Sequence, residues 1–235
     1  MSRTTLAIIV FLLTITFAAS PFFVSDFAGF DPDQFPIPQI DPPIQPAGYA
    51  FAIWGVVYVW MILGMGLGLW KRRDDASWHL MRLALITSLG VGTIWLPVAV
   101  ASPVWAAVLI WVMLITALIA LFRSPTDDRW WAALPIGLYA GWLTAASCVS
   151  LGLLAAGHGY LEQSMAALAA LFAALVLASA VQNQLRRAPT YGIGVIWALI
   201  AIVVQNMSNN LTVAALAAGG AAALVMPTFK AWRAS

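Results

Sequence analysis

Long apolar blocks alternate with short polar ones along the whole chain. The blocks cover roughly 5–24, 49–70, 79–100, 103–122, 131–156, 164–184, 191–206 and 210–228, and charge is absent from the middle of each. A helix that crosses a bilayer needs about 20 mostly apolar residues. The pattern therefore predicts an all-α, polytopic transmembrane helix bundle of about eight spans, with both termini on the same, cytoplasmic side. The third and fourth blocks are separated only by Ala101, Ser102 and Pro103. Left unbroken, the stretch from His79 to Phe122 would be about 66 Å long at about 1.5 Å per residue, roughly twice a bilayer core, so length predicts a turn there.

Arg3 followed by the apolar run Thr5 to Ala19 has the outline of a secretory signal. Pro21 stands just past the candidate cleavage point, and the run continues through Phe22, Phe23 and Val24 to spanning length. The expectation is a retained first helix.

Composition agrees with the block pattern. Of 235 residues, 63% are hydrophobic and 9% charged, too apolar for a water-soluble core. The net charge of +2 is explained by orientation rather than by nucleic acid, because cytoplasmic loops collect Lys and Arg. With eight crossings, Arg3, Lys71, Arg72, Arg73, Arg82, Arg123, Arg129, Arg186, Arg187, Lys230 and Arg233 all fall on one side. Asp26, Asp31, Asp33, Asp41 and Glu162 fall on the other, and seven crossings would break the pattern at the C-terminus.

The one long connection, 25–47, carries Pro32, Pro36, Pro38, Pro42, Pro43 and Pro46 and has no helical period. So much proline predicts stiff, extended backbone lying over the outer face. Gly64 with Gly68, and Gly137 with Gly141, form GxxxG pairs, and the last block is nearly all Ala and Gly. Such surfaces suit close helix packing inside the chain or against a partner, as a homodimer or within a larger membrane complex.

Candidate chemistry is sparse. The two lysines, Lys71 and Lys230, lie at the cytoplasmic edge, so no intramembrane Schiff base is expected, and buried ionisable groups of the kind that mark ion pathways are missing from the span centres. His79 and His158 fall on opposite sides and cannot share a metal. The single cysteine, Cys148, lies in an apolar run and reads as a packing residue. Thr93, Thr144, Ser147 and Ser150 lack a nearby base and are expected to hydrogen-bond along their helices.

The twelve tryptophans change the picture. Trp70, Trp78, Trp105, Trp130, Trp131 and Trp232 fall at span ends, where indoles populate the interfacial belt. Trp54, Trp60, Trp95, Trp111, Trp142 and Trp197 fall well inside spans, where each N–H needs a partner that lipid cannot supply. Trp54 and Tyr58 share one helix face, as do Tyr139 and Trp142. These pairs either pack the bundle or line a slot for a flat apolar ligand.

Three ordered stretches resemble the tryptophan-rich sensory proteins, the family related to the translocator protein and the mitochondrial benzodiazepine receptor. They are Pro46 to Tyr58, with its W-x-x-x-Y; Trp95-Leu96-Pro97; and Pro135 to Ser150, with Tyr139, Trp142 and Thr144. Gly92 and Thr93 stand where the family carries an asparagine ahead of the third-helix tryptophan. The likeness covers a five-helix core, 1–157, and leaves three additional transmembrane helices, 158–235, as in a longer bacterial branch. It implies a binding protein of the bacterial cytoplasmic (inner) membrane, a sensor or carrier for a tetrapyrrole, sterol, isoprenoid or similar planar hydrophobe, with the first connection as a lid. Carried over on the matching positions, the ligand-binding residues are Trp54, Tyr58, Trp95, Tyr139 and Trp142, with Phe51 and Pro97 shaping the pocket. A porphyrin is the candidate ligand, no metal site is assigned, no residue is assigned a catalytic role, and whether the chain is an enzyme is left open. The alternative is a structural accessory subunit of a larger, pigment-containing membrane complex.

Overall fold

The computed structural model describes residues 2–24 and 29–234. Asp26, counted above among the outer-side acids, lies outside the described residues. Within them the chain forms eight α-helices and no strand: α1 Arg3–Ala19, α2 Ile53–Lys71, α3 Ala76–Ala101, α4 Pro103–Phe122, α5 Ala133–Gly157, α6 Gln163–Leu185, α7 Thr190–Asn206 and α8 Leu211–Arg233. Short polar residues set the starts. Ser2, Asp75, Ser102, Glu162 and Asn210 each accept a backbone N–H of the first turn of the helix that follows, satisfying donors that helix geometry leaves orphaned. Ser102 also breaks α3 from α4: its backbone is extended, and Pro103 opens the next helix.

Seven of these helices are long and apolar enough to cross a membrane, and α7 is shorter, with 17 residues. Its contacts nevertheless run from one end of the bundle to the other. Thr190 donates to the carbonyl of Leu134 at the start of α5, while Asn206 donates to the carbonyl of Pro43 in the long connection.

The two ends differ chemically, as the alternation of charge requires. At one end Arg3 donates to the Asp74 carbonyl, Arg72 pairs with Asp128, and Arg187 donates to carbonyls of Phe122 and Ser124. At the other lie the proline-rich connection and the turns around Gly157 and Asn206.

Helices α1 to α5 close a ring, with α1 against α2 and α3, α3 against α4, α4 against α5, and α5 back against α2. Helices α6 and α7 pack on α5, and α8 packs on both of them. Helix α5 is therefore central, and most of its residues are buried. Its GxxxG pair is used inside the chain: a Cβ on Gly141 would collide with the Tyr191 carbonyl, and one on Gly137 would lie 2.6 Å from the Thr190 hydroxyl. The α2 pair is used likewise, Gly64 against the Trp131 carbonyl and Gly68 against the Trp78 ring.

One expectation is corrected at the charged end. Trp78 is not a belt residue. It is fully buried, packs over Gly68 and donates its indole N–H to Asp128 at 3.0 Å. Arg82, expected on this side, is buried there and donates to the carbonyls of Gly68, Arg72 and Arg73 where α2 ends. The negative end of the α2 dipole and its unpaired carbonyls explain how a guanidinium is tolerated there. The other five end-of-span tryptophans, Trp70, Trp105, Trp130, Trp131 and Trp232, are exposed.

Candidate functional site

The five-helix ring encloses a cavity of about 340 Å³ in the half of the bundle beneath the proline-rich connection. Its walls come from every helix of the ring: Phe17 of α1, Trp54 and Tyr58 of α2, Gly92 and Trp95 of α3, Ile110 and Met113 of α4, and Trp142 to Leu153 of α5. Gln45 and Pro46 roof it from the connection, and Ala198 of α7 reaches it from outside the ring.

An aromatic cluster forms the inner end. The Trp54 and Tyr58 rings stack at 5.3 Å, as their i, i+4 spacing on one face requires. Phe17 meets both edge-on, at 5.7 and 5.3 Å, and Phe51 meets Trp142 edge-on at 5.7 Å. These are the offset and T-shaped arrangements that the ring quadrupoles favour.

Of the residues singled out by resemblance, Phe51, Trp54, Tyr58, Trp95 and Trp142 are brought together on the cavity. Tyr139 and Pro97 are not on its wall. Tyr139 is fully buried beneath it, with its hydroxyl 2.9 Å from that of Ser88, which in turn donates to the Met113 carbonyl. Pro97 is exposed on α3, facing away from the cavity that its neighbours Trp95 and Leu96 line.

Phe17 is the functional candidate that sequence reading passed over, because it lies in the signal-like first block. Its signal is Gly92. A Cβ there would lie 2.7 Å from the Phe17 ring and 3.1 Å from the Met113 methyl. Gly92 thus leaves the space that this ring fills.

The deep indoles divide by partner. Trp60, Trp95 and Trp197 donate to the carbonyls of Trp130, Ala106 and Ala50, at 2.8, 2.9 and 2.9 Å. The Trp111 N–H is buried without a partner among the described residues. Trp54, Tyr58 and Trp142, all lining the cavity, make no side-chain hydrogen bond to a described protein group. Thr93, Thr144 and Ser150 donate back along their own helices, and Ser147 crosses to the Ile110 carbonyl. Among the described residues no three His, Cys, Asp or Glu side chains gather as a metal site would need.

The connection is tied down along its length. Gln34 donates to the carbonyls of Ala99 and Val100, Ile37 to Gly157, and Ala47 to Ala201, while Asn206 reaches Pro43. Phe35 packs against Gly157. Helices α3, α5 and α7 therefore hold the connection in place.

An aromatic-walled cavity inside a multi-pass helical bundle defines a membrane protein of the ligand-binding or sensor type. Compared with curated proteins and with solved structures, the chain finds no significant match. It matches the family described as TSPO-like protein over residues 4–229, and it belongs to that family. The match runs through α8, so the three C-terminal helices fall within it as well as the five-helix ring.

Proposed function

We propose that this protein is a sensor or carrier for a planar hydrophobic ligand, of the tetrapyrrole, sterol or isoprenoid class, in a bacterial cytoplasmic membrane. The observation that carries the reading is the cavity itself: about 340 Å³, walled by Phe17, Phe51, Trp54, Tyr58, Trp95 and Trp142, and roofed by a connection tied at several points. That volume is within the roughly 300–1,000 Å³ range of small-molecule sites, which combine apolar walls with a few polar groups. Flat aromatic walls favour a flat ligand because ring stacking adds to the gain from removing apolar surface from water.

Titrating a porphyrin against the protein in nanodiscs tests the reading. Saturable quenching of tryptophan fluorescence is expected, and it is lost in Trp54→Ala and Trp142→Ala. Quenching that is unchanged in both variants sinks it.

A second reading, a subunit docking onto a larger membrane complex or a second copy, draws on α8, where a Cβ at Gly219 would meet nothing within 4 Å. Part of that small-residue helix is left over after packing inside the chain. Extraction in mild detergent that yields a stoichiometric partner, from a protein without ligand affinity, would favour this reading over the first.

A further inference from the structure

We propose that an anionic phospholipid docks at the charged end of the bundle, its phosphate between Arg123 at the end of α4 and Arg186 at the end of α6, and an acyl chain along α4. This place is at the other end of the bundle from the aromatic cavity and does not depend on what that cavity binds. Three observations lead there.

The first is a pair of unused charges. Arg187 donates to the carbonyls of Phe122 and Ser124, the residues on either side of Arg123. That link brings Arg186 and Arg123 together at the ends of two helices that both pack on α5. Both arginines are exposed, and neither pairs with a carboxylate among the described residues, whose ion pairs are Arg72 with Asp128 and Arg73 with Asp74. The remaining acids at this end, Asp75 and Asp127, are engaged by Ser77 and Thr126. Two guanidiniums without a counter-charge, at the level where helices leave the membrane, offer a phosphate the planar fork of donors that suits it.

The second is the backbone. Arg186 closes α6 at φ 48° and ψ 18°, the left-handed conformation in which helices usually end on glycine. Glycine would make this turn with less strain, so conformation is not what an arginine supplies here. What it supplies is an exposed guanidinium, oriented by a hydrogen bond from its Nε to the Asn183 carbonyl.

The third is the surface alongside. Ile115, Ile119 and Phe122 are exposed and share one face of α4, ending beside Arg123. A lipid whose phosphate is held at Arg123 lays its chain on this stripe, which a free phosphate could not use.

Thermal unfolding of the full chain in neutral detergent tests the proposal, with dioleoyl phosphatidylglycerol, dioleoyl phosphatidylcholine or glycerol 3-phosphate added. Phosphatidylglycerol is expected to raise the midpoint by about 4 °C, as a ligand of the folded state does, and the other two to raise it far less. Arg123→Gln and Arg186→Gly should each lose most of that shift, whereas Lys71→Gln, which removes the same charge from α2, should keep it. Without lipid the Arg186→Gly midpoint should equal or exceed that of the parent, because the turn is relaxed. Native mass spectrometry reads the same loss as fewer phosphatidylglycerol molecules retained by the two arginine variants. An equal shift from phosphatidylcholine or glycerol 3-phosphate overturns the proposal. So does a shift that Lys71→Gln lowers as much as the arginine variants, which would mean a diffuse field rather than a site. A lower midpoint for Arg186→Gly with the lipid shift intact makes this arginine a structural residue and overturns it as well.

Discussion

Trp197 of α7 donates its indole N–H to the carbonyl of Ala50, 2.9 Å away, where the chain enters α2, and Tyr49 meets its ring edge-on at 5.6 Å. A helix outside the five-helix ring thereby holds the end of the roof against the mouth of the cavity, and the next residue, Ala198, forms part of the cavity wall. The C-terminal helices thus help complete the pocket.

Removing that link should loosen the roof without emptying the core. Trp197→Phe keeps the ring and deletes the donor, for an expected loss of about 0.5–1.5 kcal/mol. Thermal unfolding in detergent measures it, and ligand dissociation should quicken alongside. An unchanged off-rate would show that the link has no part in retaining ligand.

Glycines on the two sides of the bundle should respond with opposite sign. Gly141→Ala drives a methyl into the Tyr191 carbonyl, where backbone must shift, and overpacking of this kind costs about 1–3 kcal/mol. Gly219→Ala places its methyl in open space and should gain up to about 1 kcal/mol from helix propensity. Denaturation midpoints of the two variants check the pair.

Gly92→Ala tests Phe17. Its methyl would lie 2.7 Å from the ring, which lines the cavity and must shift to make room. The expected result is a folded protein with several-fold weaker ligand binding. Gly92→Ala combined with Phe17→Leu should recover part of the affinity.

At the charged end, Arg72 grips Asp128 through two hydrogen bonds, 2.8 and 3.1 Å, and Trp78 adds a third to the same carboxylate. Partial burial alone would raise the Asp128 pKa, but these bonds outweigh it and hold the carboxyl below the usual range. A carboxyl depressed by folding stabilises the protein above its unfolded pKa of about 3.9, and that contribution disappears as pH falls through the lower folded value. Asp128→Asn should therefore cost about 1–2 kcal/mol at pH 7. The gap between variant and parent should close below about pH 4. A gap independent of pH would mean that packing around Trp78, rather than charge, is what the substitution disturbs.

Much of the architecture was legible in the one-dimensional pattern. Apolar block length sets where a helix spans, because lipid leaves no other way to satisfy the backbone, and the one-sided distribution of Lys and Arg sets the number of crossings. That is why α7 could be expected despite having only 17 residues. The W-x-x-x-Y spacing placed Trp54 and Tyr58 on one face for the same local reason.

What the chain order could not contain is which faces meet. Trp78 and Trp70 sit at comparable depths, yet one is sealed by Gly68 and Asp128 and the other is exposed. Tyr139 and Trp142 are three residues apart, yet one lies under the cavity floor and the other on its wall. Phe17 joined the site only because Gly92, distant in sequence, leaves room for its ring. Periodicity is a property of one helix and survives in the sequence. Contact between helices depends on how several surfaces pack at once, and only the folded bundle decides it.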